Sequence, residues 1–296
     1  MRWEDREESR NVDDRRSSGS SGGGMRGMPS MGTIMFLWPV IQRLLKTKFG
    51  WAIIGIGAVA YFSGFNPLSS IMVGGSSNAP IDQKADDKQA RFISTVLGDT
   101  EKVWGTLFKQ HGSTYIEPTM VLYRGSTDSG CGHASSQMGP FYCPADQKVY
   151  IDLGFFDELS SKHNASGDFA QAYVLAHEIG HHIQNMEGTL KKVQKMKQQA
   201  LGDKAANQLQ VRVELQADCY AGVWAHHAHK RFNILEQGDI EEALRAASAI
   251  GDDTLQKQAQ GYVVPDAFTH GSSEQRVAWF RKGIKSGDIQ SCDTGL

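Results

Sequence analysis

The stretch VLAHEIGHHIQ, residues 174–184, holds two histidines and a glutamate in the spacing H-E-x-x-H: His177, Glu178 and His181. On a helix, positions four apart share one face, so both imidazoles can reach one metal ion. Glu178, beside the first histidine, is then placed to take a proton from water at that ion. This is the arrangement of metal-assisted hydrolysis. Two histidines do not complete such a site, and a third protein ligand is required. The stretch VRVELQADCYAGVWAHH supplies Glu214 and Asp218 in an E-x-x-x-D spacing, with Glu214 lying 214 − 181 = 33 residues after the second histidine. That gap is long enough for a turn and a helix that returns past the first. Glu214 closes a His, His, Glu set for Zn2+. Asp218, one turn on, can accept a hydrogen bond from the far nitrogen of a ligating imidazole and so fix its ring. Both acids lie among Val, Leu, Ala, Tyr and Trp, a setting that argues against plain solvated carboxylates.

The other histidines divide by position. His182 points roughly 100° away from His181 and does not share the ion. His226 stands 226 − 214 = 12 residues beyond Glu214, about 18 Å along a continuous helix. With His227 and His229 it is read as lining a helix end, where imidazole interacts favourably with the dipole. His270, in VVPDAFTHGSSEQRVAWF, sits on an irregular connection between Pro265 and a helix capped by Ser272 or Ser273. There it can donate to the oxyanion formed when water attacks an amide carbonyl, with Tyr262 a second candidate. The alternative for His270 is a structural role at a helix start.

Helices must carry these side chains. Residues 155–162, 168–186, 190–230 and 240–250 read as helical, with shorter helices at 252–260 and 273–285. Residues 82–110 form an amphipathic helix, with a break expected near Gly98 and Asp99. Residues 119–123 and 148–153 read as strands, and 138–143 as a partner strand. The strand at 148–153, just upstream of the motif, is the expected edge for an extended peptide. The fold class is therefore α+β, a small sheet followed by a run of helices. Cys131 and Cys143 flank a Gly/Ser-rich segment, and no C-x-x-C occurs. In an oxidising compartment the expected pairs are Cys131 with Cys143 and Cys219 with Cys292.

The 296 residues suit one sizeable domain with extra segments, and a net charge of −2 gives no electrostatic reason to expect nucleic acid as a partner. Charged residues followed by Gly and Ser make residues 1–32 read as a flexible tail, within a polar cytoplasmic segment 1–48 that ends in Arg43, Lys46 and Lys48. Residues 49–65 are an uncharged apolar run, continued weakly to 73, and read as one transmembrane anchor. The long polar tail ahead of it argues against a cleaved signal peptide. Basic residues before the span place the N-terminus in the cytoplasm and the body outside the inner membrane. A hairpin in which residues 34–45 also crossed would return the body to the cytoplasm, but that segment is too short and too interrupted to be preferred. Residues 74–81 are a linker, and 82–296 the catalytic domain.

With the opening MRW…NVDDRR, the Gly-rich tail, the single span, AHEIGHHIQ, VELQADCYAG and FTHGSSEQR, the whole chain resembles the bacterial putative neutral zinc metallopeptidase family. The resemblance implies a membrane-anchored, zincin-like domain with gluzincin-type ligands. It implies His177, His181 and Glu214 as zinc ligands, Glu178 as acid/base, and a peptide or protein substrate. A competing expectation is a membrane-anchored binding or chaperone-like factor with a structural zinc. An intact Glu178 favours the peptidase, because a structural site needs no base.

Overall fold

A computed structural model describes residues 1–17, 82–162 and 165–296. The apolar run at 49–73, the linker at 74–81 and residues 18–48 lie outside the described residues. Among the described residues no helix is long and apolar enough to cross a membrane.

The chain order is β1 (Val12–Asp14), α1 (Gln83–Gln110), β2 (Thr119–Tyr123), β3 (Ser126–Ser129), β4 (Gly132–Ser135), β5 (Phe141–Cys143) and β6 (Lys148–Asp152). The helices α2 (Leu153–Ser161), α3 (Asp168–Met186), α4 (Thr189–Gln198), α5 (Asp203–Phe232), α6 (Asp239–Ala249), α7 (Asp252–Gln260) and α8 (Ser273–Ser286) follow. The main sheet runs β1-β2-β6-β5, with β3 and β4 a separate hairpin. Strands β1, β2 and β6 are parallel, and β5 is antiparallel to β6.

Side chains alternate across a strand. Met120 and Leu122 of β2, with Val149 and Ile151 of β6, enter the main core with α1, α3, α5, α6 and α8. Val121, Tyr123 and Tyr150 face a smaller cluster completed by Ala134 of the hairpin and Cys143. Disulfides join Cys131 to Cys143 and Cys219 to Cys292, the pairs expected from the sequence. The first ties the hairpin to β5, and the second ties α5 to the C-terminal segment.

Four expectations are corrected. Strand β6 is interior, paired on both sides, so the edge beside the helices is β5. Helix α1 runs unbroken through Gly98, and that glycine instead gives room for another segment. A Cβ there would stand 3.0 Å from the Glu7 carbonyl oxygen. The helical stretch at 190–230 is two helices, separated at Gly202, whose φ of 86° suits a residue without a Cβ.

The fourth correction concerns the start of the chain. Residues 1–17, read from composition as part of a flexible tail, belong with Gln83–Leu296 to one compact unit. β1 pairs with β2 in the register Val12↔Met120, Asp13↔Val121 and Asp14↔Leu122. Arg6 pairs with buried Asp99 at 2.9 Å and Arg16 with buried Asp86 at 2.6 Å. The Met1 α-amine sits 3.0 Å from Asp168, 3.1 Å from Glu236 and 3.3 Å from Asp239. These partners are far away in sequence, so composition alone does not register them.

Candidate active site

Helices α3 and α5 cross closely because residue 180 is a glycine: a Cβ there would meet the Ala217 Cα and carbonyl oxygen at 3.0 Å. That approach brings Glu214, one turn before Ala217, under the two histidines. Glu214 Oε2 lies 3.2 Å from His177 Nε2 and 3.4 Å from His181 Nε2. One ligand atom from each of the three residues lies within 4.8 Å of the others. Two imidazole nitrogens and one carboxylate oxygen converging at a buried point are a donor set suited to Zn2+.

The far nitrogens of both rings are held. His177 Nδ1 donates to Asp218 Oδ1 at 2.8 Å, and His181 Nδ1 donates to Gln184 Oε1 at 2.9 Å. Each bond uses the Nδ1–H, so Nε2 is the nitrogen that faces Glu214 and the one that gives up its proton to a metal. Gln184 is itself oriented, its amide donating to the Val213 carbonyl at 2.8 Å and Gln216 Oε1 at 2.9 Å. Asp218 is fully buried and takes Arg276 Nε on Oδ2 and Nη2 on Oδ1, both at 2.9 Å. The Tyr173 hydroxyl donates to Asp218 Oδ1 at 2.5 Å, and Arg276 Nη2 also reaches that hydroxyl at 3.2 Å.

These charges move the proton affinities of the site. Burial alone would raise the Asp218 carboxyl, but the Arg276 guanidinium and His177 bring it down to about 2. Burial pushes the His177 imidazole down, and Asp218 and Glu214 overcome it, lifting it to about 9. Glu214 is held well below the usual carboxylate range by His181 and His177 against the cost of burial.

Glu178 lies in the same cleft, a cavity of about 910 Å³ lined also by Pro140, Phe141 and Tyr142 beside β5 and by Val174, Ile250 and Leu255. His270 is at its rim. Its Nδ1 lies 3.2 Å from Asp252 Oδ1, and Asp252 Oδ2 accepts the amides of Thr269, His270 and Gly271 at 2.7, 2.6 and 3.0 Å. The hydrogen bond to Asp252 raises the His270 imidazole above its ordinary value despite partial burial. Ser272 caps α8 with Gln275 in a reciprocal pair, fixing the turn after His270.

Tyr262 does not line the cleft. His182 turns away, bonded to the Ile116 carbonyl at 2.6 Å and the Tyr142 hydroxyl at 3.1 Å. His226 and His227 bond the carbonyls of Ile284 and Gly287 at 2.9 and 2.7 Å, and His229 accepts the Leu235 amide at 3.1 Å, so all three serve the end of α5. Sequence reasoning passed over Tyr173, Gln184 and Arg276. The first two stand four residues before His177 and three after His181, a helical spacing that flags them. Arg276 is 276 − 218 = 58 residues from its partner, and only the fold brings it in.

A family model described as putative neutral zinc metallopeptidase matches residues 1–295. The uncharacterized protein YpfJ of Escherichia coli K12 is 48% identical over 302 residues, covering 99% of this chain and 98% of that one. The uncharacterized proteins Rv2575 of Mycobacterium tuberculosis H37Rv and Mb2605 of Mycobacterium bovis are each 43% identical over 216 residues, covering 70% of either chain. No solved structure matches.

Proposed function

The chain belongs to the putative neutral zinc metallopeptidase family, and from that premise we propose that it is a zinc-dependent endopeptidase with gluzincin-type ligands. We place it at the outer face of a bacterial inner membrane. The observation that carries the catalytic reading is the convergence of His177 Nε2, His181 Nε2 and Glu214 Oε2, with Glu178 in the same cleft.

His177, His181 and Glu214 would hold the metal, which when bound supplies Lewis acidity to a carbonyl and acidifies water. The remaining work belongs to the chain. Glu178 takes the proton of the attacking water on its carboxylate and returns it to the leaving amine nitrogen. Asp218 and Gln184 keep the two rings from turning. His270, tied at Nδ1 to Asp252, presents Nε2 as a donor to the oxygen on which negative charge develops. The outer edge of β5 borders the cleft, and an extended peptide can add to it as a further strand.

The extracytoplasmic placement is supported by two disulfides, which persist in oxidising compartments. Membrane attachment is supported by the apolar run at 49–73 in the sequence. A binding factor with a structural zinc needs the three ligands but has no use for Glu178 in the cleft.

The reading is tested with membrane-embedded protein and an unfolded protein substrate. Cleavage should stop on chelation and return with Zn2+, and Glu214→Ala should carry no stoichiometric zinc. Cleavage indifferent to chelation, or zinc fully retained by Glu214→Ala, would refute it.

A further inference from the structure

Residues 1–17 are built into the catalytic unit at several independent points. β1 extends the sheet, and the amides of Met120 and Arg15 are bonded across the β1–β2 pair to Asn11 and Leu122 carbonyls at 2.8 and 2.7 Å. Ser9 donates its amide to the Ser94 carbonyl of α1 at 3.0 Å, and Arg2 donates its own to Ile234 at 2.9 Å. Trp3 packs edge-on against Phe92, with ring centroids 5.3 Å apart. The close approach to Gly98 admits the backbone of Glu7 and Ser9 and no side chain.

Removing these residues would leave the Asp99 carboxylate, 1% exposed, without Arg6. A buried charge stripped of its partner is strongly destabilising. It would also bare the outer edge of β2, a core strand whose side chains are nearly all buried. The segment therefore belongs to the folded domain and not to a separate tail.

That has a consequence for the membrane. A hydrocarbon core is about 30 Å thick, and no ladder, ion pair or ring contact of this kind forms across it. A single crossing between residues 17 and 82 would put β1 and β2 on opposite sides. We infer that residues 1–17 and 82–296 stand on the same, extracytoplasmic side of the membrane, with no single crossing separating them. This replaces the single-pass arrangement with a cytoplasmic N-terminus that the basic residues before the apolar run suggest. It rests on the membrane attachment proposed above, and not on catalysis.

Glu7 and Lys102 form a surface ion pair at 3.3 Å across the junction, and the four native cysteines are disulfide-bonded. Single Glu7→Cys and Lys102→Cys variants of the full chain, expressed in cells, would be treated as spheroplasts with a membrane-impermeant maleimide before and after lysis. Both should label fully in intact spheroplasts. Wild-type protein should stay in carbonate-washed membranes, and a chain lacking residues 34–73 should not.

Labelling of residue 102 before lysis but residue 7 only after it would overturn the inference. Labelling of both only after lysis would overturn the assignment to the outer face. Release of the wild-type chain by carbonate would remove its membrane premise. Labelling and fractionation do not depend on turnover, so a failed peptidase reading would leave these results intact.

Discussion

Asp218 is held by Arg276, Tyr173 and His177 at once, and through His177 this buried cluster governs one of the three candidate ligand atoms. The shifts it produces predict how the metal-free protein responds to pH. Asp218, brought down to about 2, contributes stability that is present above its unfolded value near 3.8 and lost as pH falls through 2. His177, lifted to about 9, contributes stability that is fully present below about 6.5 and lost as pH rises through 9. The share of stability from this pair, read as the difference in thermal unfolding between chelated wild type and chelated His177→Gln, should therefore be constant between about pH 4 and 6.5. On the alkaline side it should fall, by on the order of 2 kcal/mol, because the two shifts describe one shared pair. With zinc in place of the His177 proton, that alkaline limb should vanish. Gln184 gives a second prediction at this scale. Gln184→Met removes the acceptor from His181 Nδ1 while keeping a side chain of similar length. Zinc affinity, read by competition with a chromophoric chelator, should drop roughly 10- to 100-fold, and an unchanged affinity would show that the ring needs no such partner.

At the scale of elements, the site is the crossing of α3 and α5, and Gly180 sets its depth. Gly180→Ala places a methyl against the Ala217 backbone at 3.0 Å, so the helices must shift by a few tenths of an ångström. Overpacking of this kind costs about 1–3 kcal/mol, and here it also draws Glu214 away from the histidines. The expected result is a lower Tm together with weaker zinc binding, whereas a Tm loss with zinc affinity intact would separate packing from ligand placement. The helices were legible because their signals are local: apolar residues at threes and fours, Ser272 before α8, and H-E-x-x-H on one face of α3. The sheet order was not. Residues 138–143 and 148–153 both read as strands, but which of them is the edge depends on pairing with β2, and β2 is 119–123 in a different part of the chain. The same non-locality hid Arg276 and Asp252.

For the whole molecule, the composition of residues 1–17 misled because it counts charges without their partners. Arg6, Arg16 and the Met1 amine are matched to Asp99, Asp86, Asp168, Glu236 and Asp239, which lie far along the chain. Cys131–Cys143, by contrast, was readable from the Gly/Ser-rich loop it closes, and Cys219–Cys292 followed only as the remaining pair. Cys219–Cys292 closes a loop with a sequence separation of 73, for which chain entropy gives about 4 kcal/mol of stabilisation. Replacing both residues by serine should lower the denaturant midpoint accordingly without changing zinc stoichiometry, since neither sulfur faces the cleft lining. A midpoint that does not move would contradict this. Under the proposed function the molecule hydrolyses peptide bonds through Glu178 at a zinc held by His177, His181 and Glu214. The most direct measurement compares wild type with Glu178→Gln in intact membranes, recording bound zinc and the new N-termini generated across the proteome. Full zinc in both and cleavage products only with wild type are expected; equal cleavage by a fully zinc-loaded Glu178→Gln protein would rule out hydrolysis through Glu178.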